Sequence, residues 1–528
     1  MFSLAFLPIV ALSAPIDSGV IQQQATPIEL SVLGTYSSGI VDDNAAEIVA
    51  YDALSRRLFV TNVSENSIDI ISIQDSQAPT KVDSIDLRPF GSPNSVTVKN
   101  GIIAVAVAAP VKQDPGFVVM FNRSGRFLKQ LTVGALPDML IFTPDGSKII
   151  VANEGEPNGD YTVDPEGSIS VIDISHPIRR MTQGAVTTLK FNQFDNAVLN
   201  NSFRVFGPGA SVSQDIEPEY ITVSNDSKTA WVTLQENNGL AIVDLDNRKV
   251  TDLVGLGSKS FASVQTAIDA SDRDDAINIQ SWPVRGFYQP DTISSYEFGG
   301  ETFLITANEG DARDYEGFSE EVRVGDLLLD DAITKQFPNI QDDEKLGRLN
   351  STNVDGDTDG DGDVDQIFAY GARSFSIWDA DGNIVFDSGS DFARITASVD
   401  PRIFNDGDNR SDDKGAEPEV VVVGEIDDQM YAFIGLERTG GIMVYNVTDP
   451  LSPYFLQYIN NINPEGDVDL GTAGDIAPEG MVFISAKESP IQVPLLVVTN
   501  EVSGTTTLYE IGHRSSSQNP RFYYYKEN

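Results

Sequence analysis

Leu136-Pro-Asp-Met-Leu-Ile-Phe142, Thr143-Pro-Asp-Gly146 and Lys148-Ile-Ile-Val-Ala-Asn-Glu154 read as a short strand, a tight turn and a second strand. Apolar and β-branched residues fill both arms, and Pro-Asp-Gly supplies the reversal. The frame is unusual: a Pro-acid step opens the first strand and an Asn-Glu pair closes the second. It recurs as Pro218-Glu219 with Gln235-Glu236, Pro290-Asp291 with Asn308-Glu309, Pro418-Glu419 with Leu436-Glu437, and Pro478-Glu479 with Asn500-Glu501. Two degenerate copies precede these, Glu47 with Asn62 and Asn94 with Ala109.

An alternating third segment follows the second acid, as in Gly167-Ser-Ile-Ser-Val-Ile-Asp173 and Gly239-Leu-Ala-Ile-Val-Asp-Leu245. Period-two alternation without a helical stripe predicts an all-β chain. The basal spacing, 47 residues from Glu47 to Asn94 and 44 from Asn94 to Asp138, is that of a four-stranded propeller blade. The last unit supplies three strands, near Met481 to Ala486, Leu495 to Thr499 and Thr505 to Ile511, while an orphan strand, Ile28 to Tyr36, starts the chain. Pairing that orphan with the last blade covers an exposed edge and closes the ring. The expectation is a seven-bladed β-propeller over 28–511, closed by its N-terminal strand, with loop insertions.

The longest insertion, 310–366, falls between the second and third strands of the fifth blade. It holds an acidic stretch, Glu316 to Asp331, and a short helix is expected at Thr334 to Leu349. Residues 1–14 are uncharged, apolar and end in small residues, which fits a secretory signal peptide. Residues 512–528 read as a loose polar tail. Cysteine is absent, and no apolar run reaches membrane-span length. Seven Asn-X-Ser/Thr sites, at Asn62, Asn122, Asn200, Asn225, Asn350, Asn409 and Asn446, agree with a secreted glycoprotein. A formal charge of −44 excludes nucleic acid and anionic membranes as partners and favours divalent cations.

Two features carry chemistry. Asp355-Gly-Asp-Thr-Asp-Gly-Asp-Gly-Asp-Val-Asp365 places carboxylates at alternate positions around glycines, the pattern that wraps Ca²⁺. The best register takes Asp357, Asp359 and Asp361 as side-chain ligands, the Asp363 carbonyl, and Asp365. Phe368 stands where an EF-hand places its bidentate Glu, so another segment must complete the shell.

The second feature is the repeated acid. Equivalent blade positions surround the axis, so Asp138, Glu154, Glu219, Glu236, Asp291, Glu309, Glu419, Glu437, Glu479 and Glu501 should encircle one funnel. Carboxylates so crowded need metal ions, shared protons or bases, and Arg313, Arg373, Arg438 and Lys487 are the candidate bases. Each acid capping its own blade is the competing explanation.

The segments Val151-Ala-Asn-Glu-Gly-Glu-Pro157, Thr306-Ala-Asn-Glu-Gly-Asp-Ala-Arg-Asp-Tyr315 and Tyr370-Gly-Ala-Arg-Ser-Phe-Ser-Ile-Trp378, with the Asp357–Asp363 loop, resemble the choice-of-anchor I domain family over about residues 30–512. The resemblance implies a secreted or surface-attached propeller. The family's members include animal cell-surface glycoproteins and bacterial proteins labelled alkaline phosphatase.

Two functions stay open. One is a calcium-binding extracellular or matrix protein that engages a glycan, a mineral or a surface protein. The other is a calcium-dependent phosphoesterase in which funnel acids hold Ca²⁺ and Arg313 and Arg373 contact a phosphoester. With His176 and His513 as the sole histidines and no cysteine, a histidine triad or a common zinc site is not supported.

Overall fold

The computed structural model describes residues 27–200 and 202–514, and the backbone of 521–523. The expected signal segment, 1–14, lies outside the described residues. Lys148–Asn153 and Leu495–Asn500 are buried almost throughout, as strands covered on both faces are.

The chain forms successive antiparallel sheets. The first is Val49–Asp52, Arg57–Asn62, Ser67–Ser72 and Thr80–Asp86; the second is Ser92–Lys99, Ile102–Ala108, Pro115–Asn122 and Phe127–Ala135. The third is Pro137–Phe142, Lys148–Asn153, Ser168–Asp173 and Val186–Lys190; the fourth is Ile221–Val223, Thr229–Leu234, Gly239–Asp244 and Lys249–Gly255. The fifth comprises Ile293–Phe298, Glu301–Asn308, Ser374–Asp379 and Ile384–Asp387, and the sixth Pro418–Ile426, Gln429–Leu436, Ile442–Asn446 and Tyr454–Ile459. In the last sheet, Pro478–Ile484, Leu495–Asn500 and Thr505–His513 are joined by Ile28–Ser37, in a register running from Ile28 opposite His513 to Ser37 opposite Thr505.

The first strands of successive sheets lie side by side, and Pro478–Ile484 packs back against Val49–Asp52. The architecture is a β-propeller. Its core lies between neighbouring sheets. Ile150 and Ile169 of the third meet Val232 and Leu234 of the fourth, and Ile305 and Phe375 of the fifth meet Ala432 and Ile434 of the sixth.

The Pro-acid step is a bulge. Leu136, Gln289, Glu417 and Ala477, each immediately before a proline, have φ of 44°, 39°, 53° and 59°. Beyond Pro137, Pro418 and Pro478 the strand register shifts. The extra residue re-aims the following acid away from the strand ladder.

Three local readings change. The helix in the insertion is Asp331–Gln336, not Thr334 to Leu349. Asp330 caps it through Ala332 N at 2.7 Å, and Pro338 ends it, because the residue before a proline is pushed out of helical geometry. A second helix, Asp391–Val399, packs Phe392 against Phe375; its short stripe is hidden between strands. Part of the segment read as a loose tail is strand, since Gly512 and His513 pair with the N-terminal strand and Arg521–Tyr523 runs parallel to Tyr454–Ile459.

Candidate functional site

One backbone device positions the acids. The N–H of Glu154 donates to the carbonyl of Leu136 at 2.8 Å, that of Glu437 to Glu417 at 2.7 Å, and that of Glu501 to Ala477 at 2.8 Å. In these three sheets the left-handed residue before the proline therefore holds the second acid next to the first. Where no acid follows, as at Asn94 in the second sheet, the side chain donates to Pro137 O at 3.1 Å.

A cavity of about 780 Å³ opens where these positions meet, lined by Glu47, Asp138, Glu154, Glu219, Asp291 and Glu479. The charge of Glu236 is felt at Glu219, and that of Glu501 at Glu479. Oxygen atoms of Glu309, Glu419 and Glu437, all buried, lie within 4.8 Å of one another. Of the ten acids of the repeat, Asp138, Glu154, Glu219, Asp291 and Glu479 share the cavity wall, and Glu309, Glu419 and Glu437 form a buried trio.

Burial is the main electrostatic cause there, reinforced by neighbouring carboxylates. It pushes Asp138 and Glu47 up to about 7, and Asp291 and Glu437 up to about 8. Glu154, Glu219, Glu419 and Glu479 are also held well above the usual range. Burial in low dielectric and like charge both disfavour the ionised form.

The bases are distributed differently from the sequence expectation. Arg438 pairs with Glu437 at 2.9 Å. Arg313 is fully buried between Asp215 at 2.5 Å and Glu217 at 3.3 Å, over the ring of Phe206. Arg373 gives its guanidinium to the backbone carbonyls of Asp269 at 2.6 Å, Ser411 at 3.0 Å and Asp413 at 2.5 Å. As phosphate contacts, Arg313 and Arg373 are corrected: both are committed to other partners. Glycine packing explains the second case, since Gly415 has φ 77° and a Cβ there would meet Arg373 at 3.0 Å.

Sequence reasoning missed Lys414. Its Nζ lies 2.6 Å from Glu309 Oε1, 3.6 Å from Glu417 and 3.7 Å from Asp311. Glu417 is fully buried and also takes Arg410 at 2.7 Å. No repeat signals Lys414, because it arrives from the irregular 401–417 segment.

The acidic loop also departs from its expected single wrap. Carboxylate oxygens of Asp357, Asp359 and Asp361 lie within 4.8 Å of one another, whereas Asp363 and Asp365 gather with Asp330. Gly360 N and Gly362 N donate to Asp357 at 2.6 and 3.0 Å, with φ of 83° and 98° at the two glycines. The division follows from backbone pairing: Val364 N donates to Leu328 O at 2.8 Å and Asp330 N to Val364 O at 3.1 Å. Asp361 raises the proton affinity of Asp359. Either trio offers the hard oxygen donors that suit Ca²⁺.

Residues 47–450 match the family model described as the choice-of-anchor I domain. Gigasin-3a of Magallana gigas is 30% identical over 209 residues, covering 36% of this chain and 73% of that protein. The mesenchyme-specific cell surface glycoprotein of Strongylocentrotus purpuratus is 26% identical over 342 residues, covering 57% of this chain and 41% of that protein, so the match spans less than half of that relative. Among solved structures, a chain of Kuenenia stuttgartiensis hydrazine synthase aligns at 12% identity and a TM-score of 0.47, over 90% of this chain and 99% of that one. Likeness at that level carries no functional argument. Among the described residues, no helix is long and apolar enough to cross a membrane.

Proposed function

This chain belongs to the choice-of-anchor I domain family, and from that premise we propose that it is an extracellular, calcium-binding, seven-bladed propeller that acts as a cell-surface or matrix binding protein. The pairing of Ile28–Ser37 with Thr505–His513 supports ring closure by the N-terminal strand. A relative named as a cell surface glycoprotein supports the extracellular setting.

The observation that carries calcium binding is the convergence of Asp357, Asp359 and Asp361 in a glycine-hinged loop. Three carboxylates this close repel one another unless a cation neutralises them. A protein with net charge −44 then meets a glycan, a mineral or another acidic surface through bound divalent ions rather than through its own bases.

The phosphoesterase reading has less support, because Arg313 and Arg373 are engaged with Asp215, Glu217 and backbone carbonyls. Calcium titration followed by melting, on the full chain and on a D357N/D359N/D361N variant, tests the proposal. A calcium-dependent rise in Tm that shrinks in the variant supports it; an identical rise in both sinks the loop assignment. Calcium-dependent turnover of a phosphomonoester or phosphodiester panel would move the protein to the enzyme class.

A further inference from the structure

Three buried acids share one short span. Oxygen atoms of Glu309, Glu419 and Glu437 lie within 4.8 Å of one another, on residues 8%, 9% and 7% exposed. They come from two neighbouring sheets: Glu309 follows the second strand of the fifth, Glu419 lies in the first strand of the sixth, and Glu437 follows its second. Thr292 clamps the backbone around Glu419, its hydroxyl donating to Glu419 O at 2.7 Å and accepting from Val421 N at 2.9 Å. Glu437 N donates to Glu417 O at 2.7 Å, and Gln235 Nε2 donates to Glu309 Oε2 at 3.0 Å. Main chain and neighbours therefore fix the trio.

Its members differ in what answers them. Glu309 has Lys414 at 2.6 Å and Glu437 has Arg438 at 2.9 Å. Among the described residues, no N–H, hydroxyl or base reaches the carboxylate of Glu419; its hydrogen-bonding neighbour is Asp291, another acid. A second unanswered oxygen faces the same two bases. Glu417 is fully buried, and its Oε2 has no hydrogen-bond partner, 3.6 Å from both Lys414 Nζ and Arg438 Nε. Glu309, Glu417, Glu419, Glu437 and Asp291 together meet Lys414, Arg438 and Arg410, so the carboxylates outnumber the bases by two.

A buried carboxylate without a donor loses its hydration with nothing in return. A proton shared by Asp291 and Glu419 removes one charge and leaves the other. A divalent ion balances both, and the spacing suits it: oxygens bound to one Ca²⁺ at about 2.3–2.6 Å stand no farther than about 5 Å apart. Asp291 lines the open cavity, which connects the trio with solvent.

We propose that Glu309, Glu419 and Glu437 hold a divalent cation at the propeller axis, a site separate from the Asp357 loop and independent of whether that loop binds calcium. An all-carboxylate donor set selects a hard ion of the Ca²⁺ class rather than a thiophilic or imidazole-seeking metal.

The test uses Ca²⁺ as the probe on the full chain, with bound ions counted after equilibrium dialysis. Glu419→Gln is the first variant, because it keeps the Thr292 clamp on the backbone and strands no base. It should lower the ion count by one or weaken calcium affinity by about tenfold or more, the loss that follows even from removing an outer partner of a ligand. In chelator the variant should melt at or above the parent, since an unanswered buried charge is gone; in calcium the parent should gain more. If Glu419→Gln does not fold, Glu419→Asp, which keeps the charge and withdraws the oxygen, should weaken calcium binding likewise. The site is overturned if Glu419→Gln or Glu419→Asp leaves ion count and affinity unchanged, the result that a shared Asp291–Glu419 proton alone would give. A D357N/D359N/D361N protein that binds as many ions as the parent, while Glu419→Gln lowers the count, would sink the loop assignment and leave the axial site standing.

Discussion

Glu154 and Leu136 are joined by a 2.8 Å hydrogen bond from the acid's backbone N–H to the carbonyl of a leucine held at φ 44°. Ala477 and Glu501 repeat it at φ 59° and 2.8 Å. Left-handed backbone at a residue with a Cβ is uncommon and persists where the surroundings over-determine it. Here it faces a proline on one side and an acid-bearing turn on the other, so the strain and the carboxylates share one cause.

Ala477 gives the cleanest test of that device. Ala477→Val puts a β-branched side chain at a left-handed position and should destabilise by about 1–3 kcal/mol. Ala477→Gly removes the backbone penalty while losing one buried methyl, and should stay within about 1 kcal/mol of the parent. Chemical denaturation of both variants measures the difference. Equal losses would show that the dihedral is not what constrains the site.

Acidity sets the second prediction. Asp138 and Glu47 are raised to about 7, and Asp291 and Glu437 to about 8, chiefly by burial. The unfolded chain releases these protons near pH 4, so between pH 4 and pH 8 the folded protein holds more protons than the unfolded one. Their contribution to stability is full at low pH and is lost as pH rises through 7 to 8. In chelator, Tm should therefore fall from pH 5 to pH 8, and added calcium should raise it more at pH 8 than at pH 5. A chelator profile that rises over this window would sink the account.

The propeller was legible because the Pro-acid step repeats with the strands, and Asp138, Glu219 and Asp291, expected together from spacing alone, line one cavity. The partners were not legible. Lys414 comes from an irregular segment, Asp215 and Glu217 precede the fourth sheet, and Asp330 reaches the acidic loop through the pairing of Leu329 with Val364. Such contacts depend on how insertions fold back, which no periodicity records. Arg313 and Arg373 show the same limit: nearness in sequence to Glu309 and Tyr370 gave the location of each chain segment but not the direction of its guanidinium.

Burial also sorts the candidate glycan sites. Asn62, Asn350 and Asn446 are buried, at 0%, 7% and 3% exposure, whereas Asn200, Asn225 and Asn409 are exposed. A bulky glycan is compatible with the second group and not with the first. Protein made through a eukaryotic secretory route should carry glycans at Asn200, Asn225 or Asn409 and none at Asn62, as read by site-specific mass spectrometry. Full occupancy at Asn62 would contradict its place inside the first sheet.

Lys414 acts as a tethered cation for one side of the axis. It lies 2.6 Å from Glu309 and 3.6 Å from Glu417, with Glu417 fully buried. Removing one partner of a buried ion pair strands the other, at a cost of about 3–5 kcal/mol. Lys414→Met should therefore lower stability by about that amount in chelator, and calcium should recover part of the loss if an ion can take the lysine's place beside Glu309, Glu419 and Glu437. Adding Glu309→Gln to Lys414→Met should restore stability by removing the stranded charge. Denaturant midpoints for the two single variants and the double variant measure the coupling, and simple additivity would show that the lysine is held near these acids without neutralising them.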